Sequence, residues 1–195
     1  MRTAATRVLV TAAALCLFLS RPSVAQDAPG YEYRVLATSM THTMELELNR
    51  AAEEGFRFQT AMGGETSGSS STEVVAVMAR RAGVRPRVSY KVLAASRTST
   101  MEKELQAAAD QGFEYRAHTV YKSAFGGDEI LCIVERDADR AAQRPRYRLL
   151  ATNKTSTMEK ELKQVGAAGY AIMAVTVAKT AFGGKELVAI LRRAE

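Results

Sequence analysis

Hydrophobic and polar positions follow one pattern along this chain, and it is clearest in the middle third. Over residues 90–94 the residues Tyr90, Val92 and Ala94 recur with a period of two, with Lys91 on the opposite face, which predicts a half-buried strand. Met101, Leu105 and Ala108 then stand at the i, i+4 and i+7 spacing of one apolar helical stripe. Gly112 follows, and glycine takes the left-handed conformation that ends many helices without steric cost. The pattern predicts a strand followed by a helix.

Two further strands complete the predicted unit. An aromatic residue directly after the glycine begins the second strand, and it is Phe56, Phe113 or Tyr170. The third strand is an apolar run at 73–78, 129–134 and 186–191. Apolar residues on both faces of this run indicate an interior strand, or one covered on its outer side by another repeat. An arginine closes each unit, at Arg80, Arg136 and Arg193.

The whole pattern occurs three times at an interval of 57 residues. Tyrosines open the units at Tyr33, Tyr90 and Tyr147, and the sequence Thr-Ser-Thr-Met-Glu-Lys-Glu-Leu is identical at 98–105 and 155–162. Chance does not produce such agreement, so the chain is a triplication of one unit.

The start of each helix carries a capping-box spacing in the second and third repeats. Ser99 precedes Glu102 by three residues, and Ser156 precedes Glu159 in the same way. In a capping box the hydroxyl and the carboxylate each satisfy a free backbone N–H group. We therefore expect Ser99 and Ser156 at the N-caps.

These observations predict an α+β protein of three tandem β-α-β-β repeats, each an antiparallel sheet with one helix. The repeats span 33–80, 90–136 and 147–195, after an N-terminal tail at 26–32. The linkers 81–89 and 137–146 are short, and both contain Arg-Pro-Arg. A unit of about 50 residues buries little apolar surface alone. We therefore expect the repeats to pack against each other with pseudo-threefold symmetry.

Residues 1–25 have the features of a secretory signal peptide. Arg2 and Arg7 precede a 13-residue apolar run at 8–20, and Ser23 and Ala25 supply the small residues before a cleavage site. An apolar run of about 13 residues is too short for a bilayer core of about 30 Å, although a membrane anchor is the alternative interpretation. We expect cleavage after Ala25 and a periplasmic or secreted protein.

Composition narrows the class of protein. The 195 residues are 47% hydrophobic and 25% charged, which excludes collagen, bulk disorder and a multi-span membrane protein. The formal charge of +6 falls to +3 without the leader, because three arginines and no acids are lost. That charge is too small to indicate nucleic-acid binding. Loss of Cys16 leaves Cys132 alone, so no internal disulfide is expected.

The opening Tyr-x-Val-Leu of the first two units, the Glu- and Leu-rich helix, the glycine-aromatic step and the basic end resemble the small bacterial domain of unknown function 4177. The resemblance covers all three repeats and implies the strand-helix-strand-strand fold. It implies no activity and no catalytic residues. Dodecins, which store flavins, have the same strand order, but their flavin stacks on tryptophan and this chain has none. We expect no cofactor.

Side chains that could support chemistry are few. Cys132 aligns with an alanine in both other repeats, which predicts a small buried core position. His42 aligns with the predicted helix caps, and His118 aligns with Ala61 and Val175. Neither histidine stands at metal-ligand spacing or has a partner fixed by the sequence. We expect no metal site and no catalytic residues.

The candidate binding residues lie in the hairpin between the second and third strands. They are Lys122, Phe125, Gly126, Gly127, Lys179, Phe182, Gly183 and Gly184. A lysine beside a surface aromatic, presented twice, would suit an anionic or apolar partner. Turn formation is the alternative explanation, because Gly-Gly permits positive φ. The first repeat has a polar loop at 62–72 instead.

The expected function is non-catalytic binding or scaffolding in the cell envelope, with an envelope protein or an anionic or apolar ligand as partner. One alternative is a hydrolase or isomerase with Glu114, His118 and Tyr121 at a repeat interface. Another is self-association through strand edges or charge. The net charges of residues 26–80, 90–136 and 147–195 are −4, −1 and +4. This gradient reflects either drift after duplication or the attraction of the last repeat to the first repeat of another molecule.

Overall fold

The computed structural model describes residues 30–65, 72–122, 128–179 and 184–194, so the predicted signal peptide lies outside the described residues. Unit 1 contains β1 (Tyr31–Thr38), α1 (Thr41–Glu53), β2 (Arg57–Glu65) and β3 (Thr72–Arg81). Unit 2 contains β4 (Val88–Ala95), α2 (Thr98–Asp110), β5 (Glu114–Lys122) and β6 (Asp128–Asp137). Unit 3 contains β7 (Arg146–Thr152), α3 (Thr155–Ala167), β8 (Ala171–Lys179) and β9 (Lys185–Arg193).

Each unit folds its three strands into an antiparallel sheet. The strand orders are β1-β3-β2, β4-β6-β5 and β7-β9-β8, so the third strand of every unit is central. A central strand with covered faces explains the apolar runs of the sequence. The predicted α+β fold of three β-α-β-β repeats is confirmed.

The helices show their predicted apolar stripe and their predicted end, but a different beginning. Met101, Leu105 and Ala108 are buried, and Gly112 follows α2 with a φ of +82°. Arg97 occupies the N-cap with no side-chain hydrogen bond, so Ser99 is the second helical residue. The same holds for Ser156 in α3, whose N-cap is Lys154. The predicted capping boxes are therefore wrong, because each helix begins before the serine that was expected to cap it.

The closing arginines bind the end of the helix in units 1 and 3. The Arg80 guanidinium lies 4.7 Å from the centroid of the Phe56 ring, and its Nη1 donates to the carbonyl of Glu54 at 3.1 Å. Arg193 repeats this on Tyr170, at 5.0 Å. Cationic donors at a helix C-terminus satisfy free carbonyls and interact favourably with the helix dipole.

Two faces of each sheet have different neighbours. The inner face carries the unit's own helix, and the outer face is turned away from it. In units 2 and 3 the outer face packs into the core of the preceding unit. The first such core joins Met44, Leu48, Phe56 and Met78 of unit 1 to Tyr90, Leu131 and Ile133 of unit 2. The second joins Met101, Leu105 and Val134 of unit 2 to Tyr147, Val188 and Ile190 of unit 3.

The array of units has two open ends. Tyr90 and Tyr147, on the outer faces of units 2 and 3, are 2% and 4% exposed, whereas the matching Tyr33 is 65% exposed. No described residue of unit 3 covers Tyr33. Within the described residues, two of the three interfaces of a pseudo-threefold ring are formed, and the described units make an open array.

Candidate functional site

The first interface joins unit 1 to unit 2 by side-chain hydrogen bonds from a helix to a strand edge. Asn49 on α1 donates through Nδ2 to the carbonyl of Tyr90 at 2.9 Å and accepts the Tyr90 N–H on Oδ1 at 2.9 Å. Glu45 Oε2 accepts the Val92 N–H at 2.8 Å. The edge of β4 is therefore satisfied by α1 rather than by another strand.

The second interface joins unit 2 to unit 3 with the same construction. Gln106 Oε1 accepts the Tyr147 N–H at 3.0 Å, and Glu102 Oε2 accepts the Leu149 N–H at 2.7 Å. Glu102 thus binds the next unit instead of its own helix terminus. Sequence reasoning missed this role. A signal was present, because Glu45, Glu102 and Glu159 recur at the 57-residue interval on the polar side of each helix.

A tyrosine hydroxyl also crosses each interface. The Tyr90 hydroxyl accepts the Phe58 N–H at 2.8 Å, and the Tyr147 hydroxyl accepts the Tyr115 N–H at 2.8 Å. Both donors sit where a bulge shifts the register of the second strand. β2 and β5 are edge strands of their sheets, so an N–H on the free side of either strand can bind another partner. Burial raises the pKa of Tyr90 above its ordinary value.

An ion pair at equivalent positions has opposite polarity in the two interfaces. Arg57 Nη2 lies 2.5 Å from Glu135 Oε1, whose side chain is almost fully buried, and 3.0 Å from an oxygen of Asp137. The hydrogen bond to Glu135 raises the pKa of the Arg57 guanidinium. In the second interface Glu114 replaces Arg57, and it meets Arg192 at 3.1 Å.

Unit 1 has an outer face on which no other described unit packs. We call it the open outer face, and it consists of Tyr31, Tyr33, Val35 and Met62, all more than half exposed. Unit 3 has an inner side of β8 on which no other described unit packs. We call it the open inner face, and it consists of Ile172, Val175 and Val177, which are also more than half exposed. Clusters of exposed large apolar side chains are typical of interaction surfaces.

The hairpin residues predicted from sequence fall mostly outside the described residues. Phe125, Gly126, Gly127, Phe182 and Gly183 belong to the segments that are not described. Of the remaining three, Lys122 ends β5 and is exposed, Lys179 ends β8, and Gly184 precedes β9. The binding role of these hairpins stays a prediction.

The three residues of the enzyme alternative are not brought together. Glu114 pairs with Arg192, while the Tyr121 hydroxyl donates to Glu129 at 3.1 Å. Glu114 and Tyr121 stand at opposite ends of β5, about 23 Å apart at the usual rise per residue. His118 instead shares a hydrogen bond of 2.8 Å with the Tyr115 hydroxyl.

The remaining titratable candidates are Cys132, which is buried, His118, which is half-buried, and His42, which is exposed. Burial lowers the pKa of His118, and burial raises the pKa of Cys132 to about 12. Cys132 is fully buried, so its predicted place in the core is confirmed. His42 is exposed and is the second residue of α1, so its predicted cap position is wrong.

The described residues lack two kinds of feature. They contain no group of three or more histidine, cysteine, aspartate or glutamate side chains arranged to hold a metal ion. Among the same residues, no helix combines the length and apolar character needed to cross a membrane.

The chain was also compared with known proteins. No family model, no curated protein and no solved structure matches it. The resemblance to the domain of unknown function 4177 therefore stays a prediction. The observations that bear on function are the interfaces between the units and the two open faces.

Proposed function

We propose that this protein is an exported, non-catalytic scaffolding module of the cell envelope that binds protein partners through the open ends of its repeat array. The observation that carries the proposal is the open outer face of unit 1. Tyr33 and Val35 stand at positions where units 2 and 3 bury a tyrosine and an apolar residue against a neighbour. A surface of this composition gains free energy when a partner covers it.

Export is supported by the sequence of residues 1–25, with its basic start, its short apolar run and its small residues before Gln26. A short run of this kind directs translocation rather than stable membrane insertion. The proposal therefore assigns the module to the periplasm or the extracellular medium.

A photo-crosslinking amino acid at position 33, in cells that export the protein, tests the binding surface. The matched control is position 103, where Lys103 is exposed on α2 and belongs to neither open face. We expect position 33, and not position 103, to give a discrete crosslinked band with a protein, whether a second copy or another chain. Equal or absent crosslinking at the two positions would overturn the proposal.

The predicted hairpins offer a second binding site for the same module. Lys122 and Lys179 end equivalent strands. One residue separates each lysine from an Ala-Phe-Gly-Gly sequence. Replacement of Phe125 and Phe182 by serine is expected to abolish binding of a partner that uses the hairpins and to leave the crosslink at position 33 intact. Unchanged affinity for every partner identified would remove the hairpins from the proposal.

A further inference from the structure

The two interfaces inside the chain define a docking arrangement that the open ends can repeat. In each one, the inner face and helix of a preceding unit receive the outer face of a following unit. Among the described residues, no further unit packs on the open inner face of unit 3 and no further unit packs on the open outer face of unit 1. We infer that the open inner face of one copy binds the open outer face of a second copy, so that the protein assembles head to tail. This inference rests on the proposed function and names its partner.

The hydrogen-bonding groups of such a third interface stand at the matching positions. Tyr33 corresponds to Tyr90 and Tyr147, whose hydroxyls accept a backbone N–H from the preceding unit. The matching donor is the N–H of Ile172, which lies at the same bulge of β8. Glu159 corresponds to Glu45 and Glu102. Val35 corresponds to Val92 and Leu149, whose N–H groups are bound by those two carboxylates.

The ion-pair position also supports a third interface. Arg57 meets Glu135 in the first interface, and Glu114 meets Arg192 in the second. At the equivalent positions of the open ends stand Ala171 in unit 3 and Ala79 in unit 1. A charge on one side alone would be buried without a partner, which is costly. Both of these positions are neutral, so this pair of positions would bury no charge without a partner.

At its closest point the third interface would match the second interface rather than the first. The first has room only for Gly63, because an added Cβ there would lie 2.8 Å from Thr119 Oγ1 of unit 2. The second holds Val120 at the same position, packed against the core that units 2 and 3 share. The equivalent positions in a third interface are Val177 of one copy and Met62 of the second. They are 53% and 61% exposed, so their mutual burial would remove apolar surface from water.

At one position the open end of unit 3 differs from the two internal interfaces, and this difference indicates that the third interface is weaker than they are. Lys163 replaces Asn49 and Gln106, and an ammonium group can donate to the Tyr33 carbonyl but cannot accept the Tyr33 N–H. In the single chain Lys163 pairs with Glu159 Oε1 at 2.5 Å, which leaves Oε2 of Glu159 to accept the Val35 N–H. The net charges of −4 and +4 on residues 26–80 and 147–195 favour encounter of the two ends.

Sedimentation velocity on purified protein beginning at Gln26 tests the inference. We expect the weight-average mass to rise with concentration between the micromolar and millimolar ranges, because head-to-tail contacts extend into rings or filaments.

Val177→Glu and Met62→Glu are each expected to keep the protein monomeric, because each places a carboxylate in one of the two apolar faces. An equimolar mixture of the two variants should form a species of two chains and nothing larger. One unaltered inner face and one unaltered outer face remain in the mixture to bind each other, whereas the two altered faces carry like charges.

Leu46→Glu is the matched control, because Leu46 is similarly exposed but lies on α1, which belongs to neither open face. It should assemble as the unaltered protein does, and circular dichroism should show the same fold for all variants. A monomer at every concentration, or undisturbed assembly of Val177→Glu, overturns the inference. A crosslink from position 33 to a different protein, with purified chains monomeric, would leave the proposed function standing and refute the second copy as partner.

Discussion

Arg57 of unit 1 and Glu135 of unit 2 form an ion pair across the first interface, and the second interface carries the reverse polarity in Glu114 and Arg192. A unit placed beside the wrong neighbour would bring like charges together or bury one charge alone. Such mismatches cost several kcal/mol, and they give the array a defined order. Near-identical repeats thus distinguish their neighbours at one pair of positions.

Removal of one member of this pair should be more harmful than removal of both. We expect Arg57→Ala to lower the free energy of unfolding by about 2 kcal/mol, because the buried Glu135 carboxylate loses its main partner. The double variant Arg57→Ala with Glu135→Ala should recover at least half of that loss, since it reproduces the neutral alanine positions of the open ends. Urea denaturation measures both values. A double variant less stable than the single one would contradict this interpretation.

The role of Glu102 can be separated from helix capping. Glu102→Ala should cost about 1–2 kcal/mol, because the Leu149 N–H at the second interface loses its acceptor. Ser99→Ala should change stability by less than about 0.5 kcal/mol, because Ser99 is exposed and makes no cap hydrogen bond. Thermal unfolding of the two variants is the measurement. The reverse ranking would restore the capping-box prediction.

The sequence was sufficient to predict the repeat, the elements of each unit and the core positions of the helix. It did so because the 57-residue interval and the apolar spacing of Met101, Leu105 and Ala108 are local signals. The interfaces were not predicted, because the partners of Glu102 and Asn49 lie more than 40 residues away. Spacing alone gave Glu102 a local capping role, whereas the folded chain directs it outward.

Close contact at Gly63 predicts a second sensitive position in the first interface. A Cβ there would lie 2.7 Å from the carbonyl oxygen of Val120, which is backbone and cannot move alone. Gly63→Ala should therefore destabilise the protein by about 1–3 kcal/mol. Gly64→Ala is the control in the same strand, since its nearest neighbour would be the flexible end of Met62 at 3.9 Å. Equal effects of the two substitutions on the urea midpoint would contradict the tight approach.

Protonation of His118 should weaken the fold in mild acid. Burial lowers the pKa of His118 in the folded protein below its ordinary value of 6.5, so the unfolded chain takes up this proton first as the pH falls. The unfolded state then binds more protons, and the stability present above the unfolded pKa is lost as the pH drops through the folded pKa. Urea denaturation at about pH 7.5 and about pH 5.5 brackets the effect.

His118→Val tests this directly, because valine occupies the equivalent position in unit 3 at Val175. The variant should lose less stability between the two pH values than the unaltered protein. His42→Ser is the matched control, since His42 is exposed and serine occupies both equivalent positions. It should leave the pH dependence unchanged. If both variants lose stability on acidification as the unaltered protein does, carboxyl groups rather than His118 govern the acid sensitivity.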